Sequence, residues 1–385
     1  IEGHEKERPE KPPMAEIVTD GDYRYAPDGY GNEIVGCPEC RVLPAEPGSY
    51  LHAGPTPYQV PTSYFLVRGD AFSKGSPMSP GFVTAATYGD PPTSIPRPDG
   101  RTSGRRLALA EWLASESNPL PARVIVNRIW HHHFGRGLVA TLDNFGKMGE
   151  LPTHPELLDW LAVELVRRGW RLKDIHRLIL GSEAYRMASA YENLSNAERD
   201  PENRNLWKYR PQRLEAEIVR DSMLSVSGGI DLAVGGPPIF PFVPEEILKS
   251  QAHGLWRNQP DGPEVWRRSV YVYRRRSLNY PFFTTFDSPD PNLTAAARNV
   301  STVAPQALTL LNNPFVLRQA ELFADRLRDE APGSLPAQID RAYRIALNRP
   351  PTDEESAIAR NLVERGSLAS LTHVMLNLNE FLYLR

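Results

Sequence analysis

Two cysteines stand in the chain, and they stand together as Cys37-Pro-Glu-Cys40. Haem c attachment needs a histidine directly after the second cysteine; Arg41 is there, so that chemistry is excluded. Thioredoxin-type exchange needs the pair at a helix N-terminus, but Pro44, Pro47 and Gly48 follow. A zinc ribbon needs a second pair. His52 supplies a third ligand at most, so a metal site of Cys37, Cys40 and His52 is incomplete beside a local disulfide or two free thiols.

Histidines form the next constellation. His131, His132 and His133 are consecutive. Neighbours on a helix diverge by about 100°, so the three cannot share one ion, and helical zinc motifs use i and i+4. His154 follows on a nearby segment. Two readings stay open: histidines bonded to backbone, or acid–base work by His132, His133 and His154.

Carboxylates and arginines supply the rest. Arg213, Glu217, Arg220 and Asp221 fall on one face of a helix predicted over 211–227. Exposed, they make a ladder of weak ion pairs; buried, a network that must be fully satisfied; and Glu217 with Asp221 has the composition of an acid–base pair. Further on, Arg267, Arg268, Arg274, Arg275 and Arg276 flank Ser269-Val-Tyr-Val-Tyr273, with Asp287, Asp290 and Arg298 just after. Arginine among aromatics suits carboxylate, sulfate or phosphate; the same residues also serve to pin a long loop. The chain carries no Walker loop, dinucleotide-binding glycine fingerprint, nucleophile elbow or His-Glu-x-x-His motif.

The elements that must hold these residues are mostly helices. Helical spacing predicts Arg106–Ser115, Ala122–Phe134, a helix opened by a capping box at Thr153–Glu156, another through Leu172–Ile179, and the one over 211–227. Others are predicted at Pro305–Leu311, Pro314–Arg328 and Ala337–Leu347, after a second capping box at Thr352–Glu355, and over roughly 367–383. Strands are few: Ser63–Arg68 and Ser269–Tyr273 alternate. The expected architecture is mainly α, a multi-helix globular domain with a few short strands and long ordered loops. Residues 1–104 read as a loop-rich extension with a strand near 63–68. Residues 105–385 read as the helical domain, with an irregular strand-containing insert at about 230–300.

Composition sets the outer limits. The 385 residues are 41% hydrophobic and 24% charged, with a net charge of −3. A nucleic-acid binder usually carries a strong basic excess, so none is expected. No apolar run reaches 18 residues, so no membrane span is expected. The 37 prolines are roughly twice the ordinary share and favour irregular backbone. The chain starts at Ile1, without an apolar leader core, and reads as part of a longer protein.

Several long strings are distinctive: Asn127-Arg-Ile-Trp-His-His-His-Phe-Gly-Arg-Gly-Leu-Val139, Asp143-Asn-Phe-Gly146 and Pro152-Thr-His-Pro-Glu-Leu-Leu-Asp-Trp-Leu161. Ser182–Arg186, Asp200–Asn203, Arg213–Glu217, Arg220-Asp221, Gly235–Pro237, Arg267–Ser269, Phe286–Asp290, Ser301-Thr302, Pro305–Leu308 and Leu376–Phe381 follow in order. Together they resemble the planctomycete-specific domain of unknown function at the C-terminal end of large planctomycete cytochrome-c proteins. The resemblance covers roughly 60–385; the insert at about 20–60 departs from it. It implies an exported protein, periplasmic or at the cell surface, with haem c only on a separate upstream module and no cofactor in this chain. It supplies no established catalytic residues.

Three functions are expected on these grounds. The first is an exported accessory or ligand-binding module beside the cytochrome-c module, acting on polysaccharide or an anionic small ligand. Its binding residues would be Asn127, Arg128, Arg186, Arg213, Arg220, Arg268, Asp287 and Arg298. The second is a hydrolase of glycans or glycan esters using His132, His133, His154, Glu217 and Asp221. The third is a structural cell-surface protein.

Overall fold

Apolar residues three and four apart dominate the second half of the chain, and that half is helical. A computed structural model describes residues 63–70, 73–95, 104–249 and 256–384. Cys37, Cys40 and His52 lie outside the described residues. Two compact units divide between Arg123 and Val124.

In the first unit, β1 (Ser63–Leu66) pairs antiparallel with β2 (Lys74–Met78), with a register irregularity between Tyr64 and Leu66. The expected strand is thus shorter than Ser63–Arg68. It ends where Arg68 and Gly69 turn into the left-handed region, which strands do not use. Helix α1 (Arg105–Ala114) offers Trp112 to this unit. Its ring stacks on Phe82 at 4.9 Å, and its Nε1 donates to Thr87 Oγ1 at 3.1 Å.

Helix α2 (Pro119–Phe134) leads into the second unit. Asn127 ties down the segment that leaves this helix: its side chain donates to the Val139 carbonyl (2.9 Å) and accepts from the Val139 N–H (2.8 Å). Gly137 sits inside this clamp, where a Cβ would come within 2.5 Å of the Val139 carbonyl oxygen. Helices α3 (Pro155–Arg167) and α4 (Leu172–Leu180) pack on each other through a stripe that includes Leu158, Leu161, Leu165, Ile175 and Ile179. The short helix α5 (Leu194–Arg199) closes this part.

The larger core is built on one helix. After the two-residue strand β3 (Gln212–Arg213) come α6 (Ala216–Ser227), the short α7 (Glu245–Lys249) and α8 (Pro281–Thr285), then α9 (Ala304–Asn312) and α10 (Pro314–Glu330). α11 (Leu335–Leu347), α12 (Asp353–Arg365), α13 (Leu368–Leu376), α14 (Asn379–Leu382) and strand β4 (Tyr383–Leu384) complete the described chain. α10 buries Val316, Ala320, Phe323, Ala324 and Leu327, and packs on α6 and α13. Each fully buried Val, Leu or Phe contributes about 1.5–3 kcal/mol, so this stripe alone outweighs any surface ion pair. Arg326 of α10 donates to the Val226 carbonyl (2.9 Å), satisfying the C-terminal end of α6, where Gly228 adopts φ +81°.

The mainly helical fold agrees with the sequence; several details do not. Thr153 does not cap α3: its N–H and hydroxyl both bond the Leu138 carbonyl, and His154 is the N-cap residue instead. The box at Thr352 and Glu355 does form, with Glu355 accepting from the Thr352 N–H at 2.7 Å. Ser269–Tyr271 is a 3-10 turn rather than a strand, because Arg220 and Asp221 draw its backbone inward; only Val272 makes a bridge, to Ile239. The helix expected from Pro211 starts at Ala216, since Gln212 and Arg213 pair with Leu384 and Tyr383. That same pairing ends the last expected helix early, as α13, α14 and β4.

Candidate functional site

Arg213, Glu217, Arg220 and Asp221 do not form a ladder along one helix. Arg213 lies on β3, ahead of α6, and its side chain is 6% exposed. Its Nη2 donates to Asp287 Oδ2 (2.5 Å) and its Nη1 to the Ser301 carbonyl. Asp287 also accepts from the Ser301 N–H (2.9 Å), the Ser301 hydroxyl (2.8 Å) and Gln306 Nε2 (3.3 Å). These bonds close the loop 287–301 at its neck. They also hold Asp287 at φ +62°, a conformation that costs a non-glycine residue about 1 kcal/mol or more. Burial pushes the Asp287 carboxyl up, but Arg213 and the Ser301 donors outweigh it and hold it below its ordinary value.

A second knot lies in the first turn of α6. Glu217 accepts from Arg298 Nη1 (2.6 Å) and Nη2 (3.3 Å), and from Arg274. Arg298 reaches Glu215 as well, Nε to Oε1 at 3.1 Å. Burial raises the Glu217 carboxyl, and the hydrogen bonds and charges of Arg298 and Arg274 bring it below the ordinary value.

Arg220 makes the third knot, at 1% exposure. Its Nη1 donates to the Arg267 carbonyl (2.9 Å) and to Ser269 Oγ (3.2 Å); its Nη2 donates to the Val265 carbonyl (2.6 Å). The guanidinium lies 5.3 Å from the Phe315 ring centre. Its nearest acidic contact, Asp221 Oδ1, is 4.0 Å away, so carbonyl dipoles do most of the work of solvating this charge. Burial lowers the Arg220 pKa from its ordinary value. Asp221 in turn accepts from the Ser269 N–H (2.7 Å), with Arg268 Nε at 3.8 Å. Arg267 donates to the Pro237 (2.9 Å) and Gly235 carbonyls and covers the Tyr271 ring.

Chemically, this frame orients and presents cations. A general acid or base works best with a pKa near the operating pH, and Glu217 and Asp287 are driven the other way. Arg268 and Arg274, by contrast, keep side chains that are 56% and 44% exposed.

The histidine end is built differently. His133 Nε2 and His176 Nδ1 are 2.8 Å apart, with Tyr185 edge-on to His133. Burial, then the neighbouring His176 and His132, lower the His133 pKa from 6.5; burial and His132 do the same to His131. The His133 carbonyl accepts from Gln212 Nε2 (2.8 Å) and the Tyr209 hydroxyl (3.2 Å). His154 is elsewhere, lining a small cleft with Trp130 and Arg136, its Nδ1 3.0 Å from Thr153 Oγ1. Among the described residues no group of three His, Cys, Asp or Glu is placed to hold a metal ion.

The family model PSD1, protein of unknown function (DUF1553), matches residues 105–363. The chain belongs to the DUF1553 family. No curated protein and no solved structure is matched by the chain.

The DUF1553 match spans every knot of the frame. Of the residues singled out by sequence, the fold of this DUF1553 chain joins Arg213 to Asp287, Glu217 to Arg298, and Arg220 and Asp221 to the Arg267–Ser269 turn. It does not bring the histidines to the carboxylates: the cleft at His154 has neither His133, Glu217 nor Arg268 in its wall. Asn127 is fully buried with its amide engaged by Val139, while His132 and Arg128 are exposed and Arg186 is tied to Glu183 at the surface. Ser301, Gln306, Arg267 and Arg274 complete the frame. The first three lie in strings that carried the family resemblance, so a signal for them existed. His176 had none, because one histidine inside an amphipathic helix looks like any other surface residue.

Proposed function

We propose that this DUF1553 chain is an exported, non-catalytic binding module of a planctomycete protein, working beside an upstream cytochrome-c module that carries the haem. Residues 105–385 form the family domain and 1–104 a loop-rich extension. Its ligand is an anionic polysaccharide held by the arginines that border α6. The observation that carries this reading is the half-exposed pair Arg268 and Arg274 beside Asp221 and Glu217, carboxylates that also accept from Ser269 and Arg298. Guanidinium groups with exposed N–H donors bind sulfate or carboxylate groups through charge-assisted hydrogen bonds.

Affinity electrophoresis of the chain in polygalacturonate, dextran sulfate and neutral dextran tests this. Retardation is expected in the two anionic polymers only, weakening as salt rises. Arg268→Ala, at a half-exposed position, is expected to reduce it several-fold without changing the fold. Equal retardation in neutral dextran, or release of reducing ends from any of the polymers, refutes the non-catalytic anion-binding reading.

A further inference from the structure

Arg136, Arg204 and Arg210 converge with His154 on a cleft floored by Trp130 and Leu138, in the second unit. None of these arginines belongs to the frame around α6. We propose that this cleft is a binding site for a single oxyanion, the carboxylate or sulfate group at the end of a larger ligand.

Both walls are fixed by backbone bonds. On one side, Asp200 accepts from the Arg204 N–H and the Asn205 N–H (both 2.8 Å), and Asn203 donates to the Lys208 carbonyl (2.7 Å). Asn203 and Leu206 both hold φ above +50°, conformations that proteins retain where the surrounding structure over-determines them. The cost of that backbone sets Arg204 and Leu206 into the cleft wall. On the other side, the Asn127 clamp and the bond from the Thr153 N–H to the Leu138 carbonyl (2.9 Å) fix Leu138.

The cations are available. Asp200, the carboxylate beside Arg204, is already engaged by the two N–H groups. Arg136 is held only by exposed acids, Glu202 at 2.9 Å and Glu150 at 3.4 Å. Exposed pairs of this kind are worth about 0–1 kcal/mol, so a ligand oxyanion displaces them readily. Arg210 bonds a backbone carbonyl, that of Glu202, which leaves its charge uncancelled.

His154 completes the lining of the site. Its Nδ1 lies 3.0 Å from the Thr153 hydroxyl, which also lies within 3.3 Å of the Leu138 carbonyl and ties the ring to the Leu138 wall. His154 is also the N-cap of α3, whose first N–H groups receive no side-chain cap and favour negative charge beside them.

Size selects the ligand. The free space is about 20 Å³, and one water needs at least about 10–15 Å³ on the same measure. A sugar ring does not fit; one oxygen of an anionic group does, with the rest of its molecule outside. The inference is independent of the polymer-binding reading, since Arg268 and Arg274 take no part in it.

Nitrogen-15 spectra of the histidine rings, recorded while titrating sodium glucuronate, sodium sulfate or glucose, test the site. The His154 signal is expected to shift with glucuronate, sulfate or both, and with glucose not at all. Response to glucuronate alone assigns the cleft to carboxylates, and to sulfate alone assigns it to sulfate esters. Arg204→Ala, at an exposed side chain, is expected to weaken binding about tenfold, as loss of one charge-assisted bond does. Glu202→Gln, which removes the competitor for Arg136, is expected to tighten it. A His154 signal unmoved by either anion, moved equally by glucose, or moved identically in Arg204→Ala, overturns the proposal. Polymer retardation that survives in Arg204→Ala but not in Arg268→Ala separates this site from the arginine face.

Discussion

The two halves of the second unit handle charge in opposite ways. Around α6, charged side chains are buried and matched: Arg213 with Asp287, Glu217 with Arg298, Arg220 with three oxygen acceptors. Between the end of α2 and α4, imidazoles are half-buried and meet each other rather than a carboxylate. Sequence alone made both look like sites, since each is dense in residues that do chemistry. The difference shows that density is a poor guide. What matters is whether a polar group still has bonding capacity that a ligand can reach when the fold is complete. Arg213 and Arg220 keep an unpaired Nε each, but both are buried, whereas Arg268 and Arg274 stay half-exposed.

The contrast makes graded predictions. Arg220→Ala carries the largest effect. It leaves the Arg267 and Val265 carbonyls without their donor in a dry site, and the lost stability is expected to be about 3–5 kcal/mol. Arg220→Lys, with one compact donor group, should recover only part. A shift in the urea midpoint smaller than that of a surface substitution would show that water reaches the site. Asp287→Asn is next, at about 2 kcal/mol, because asparagine tolerates the left-handed backbone but forfeits the charge-assisted bonds to Arg213.

Acid separates the two regions in one experiment. His131 and His133 have folded pKa values below 6.5, so the unfolded chain protonates first. The stability they contribute is present above pH 6.5 and is lost as the pH falls through their lower folded values. Glu217 and Asp287 are also lowered, but from carboxylate values of 4.5 and 3.8. Their contribution stays intact above the ordinary carboxylate range and fades as the pH falls through the lower folded values. Amide protection factors followed from pH 7.5 to 4.5 should therefore fall in α2 and α4 while those of α6 hold. A uniform fall would mean that the two regions open as one. The smallest effect expected is that of His133→Phe, under about 1 kcal/mol, which should also flatten the pH response of α2.

Helices were the easiest feature to read. The stripe Val316, Ala320, Phe323, Leu327 and the box at Thr352 and Glu355 are local patterns, and both formed. Thr153 and Glu156 had the same spacing and formed no box, because Leu138, fifteen residues earlier, takes the threonine. Glu217 and Arg298 were both singled out, yet nothing in their spacing joins positions 81 apart; only the fold does. Ser269–Tyr273 alternates as a strand should, and two charged residues on α6 bend it into a turn. Local periodicity reports what a segment prefers; the placement of a site depends on bonds between segments, which periodicity does not encode.

One such bond sets a clock. The Leu214 N–H donates to the Leu382 carbonyl, and Gln212 and Arg213 pair with Leu384 and Tyr383. The strand that aims Arg213 at Asp287 therefore has no partner until about 170 further residues have been made. At about 5–20 residues per second, a ribosome takes on the order of 10–30 s to supply it. During that interval α6 can form while the segment before it stays open. A nascent chain stalled ahead of Leu382 should be cut by protease near Gln212, and one released past Leu384 should not.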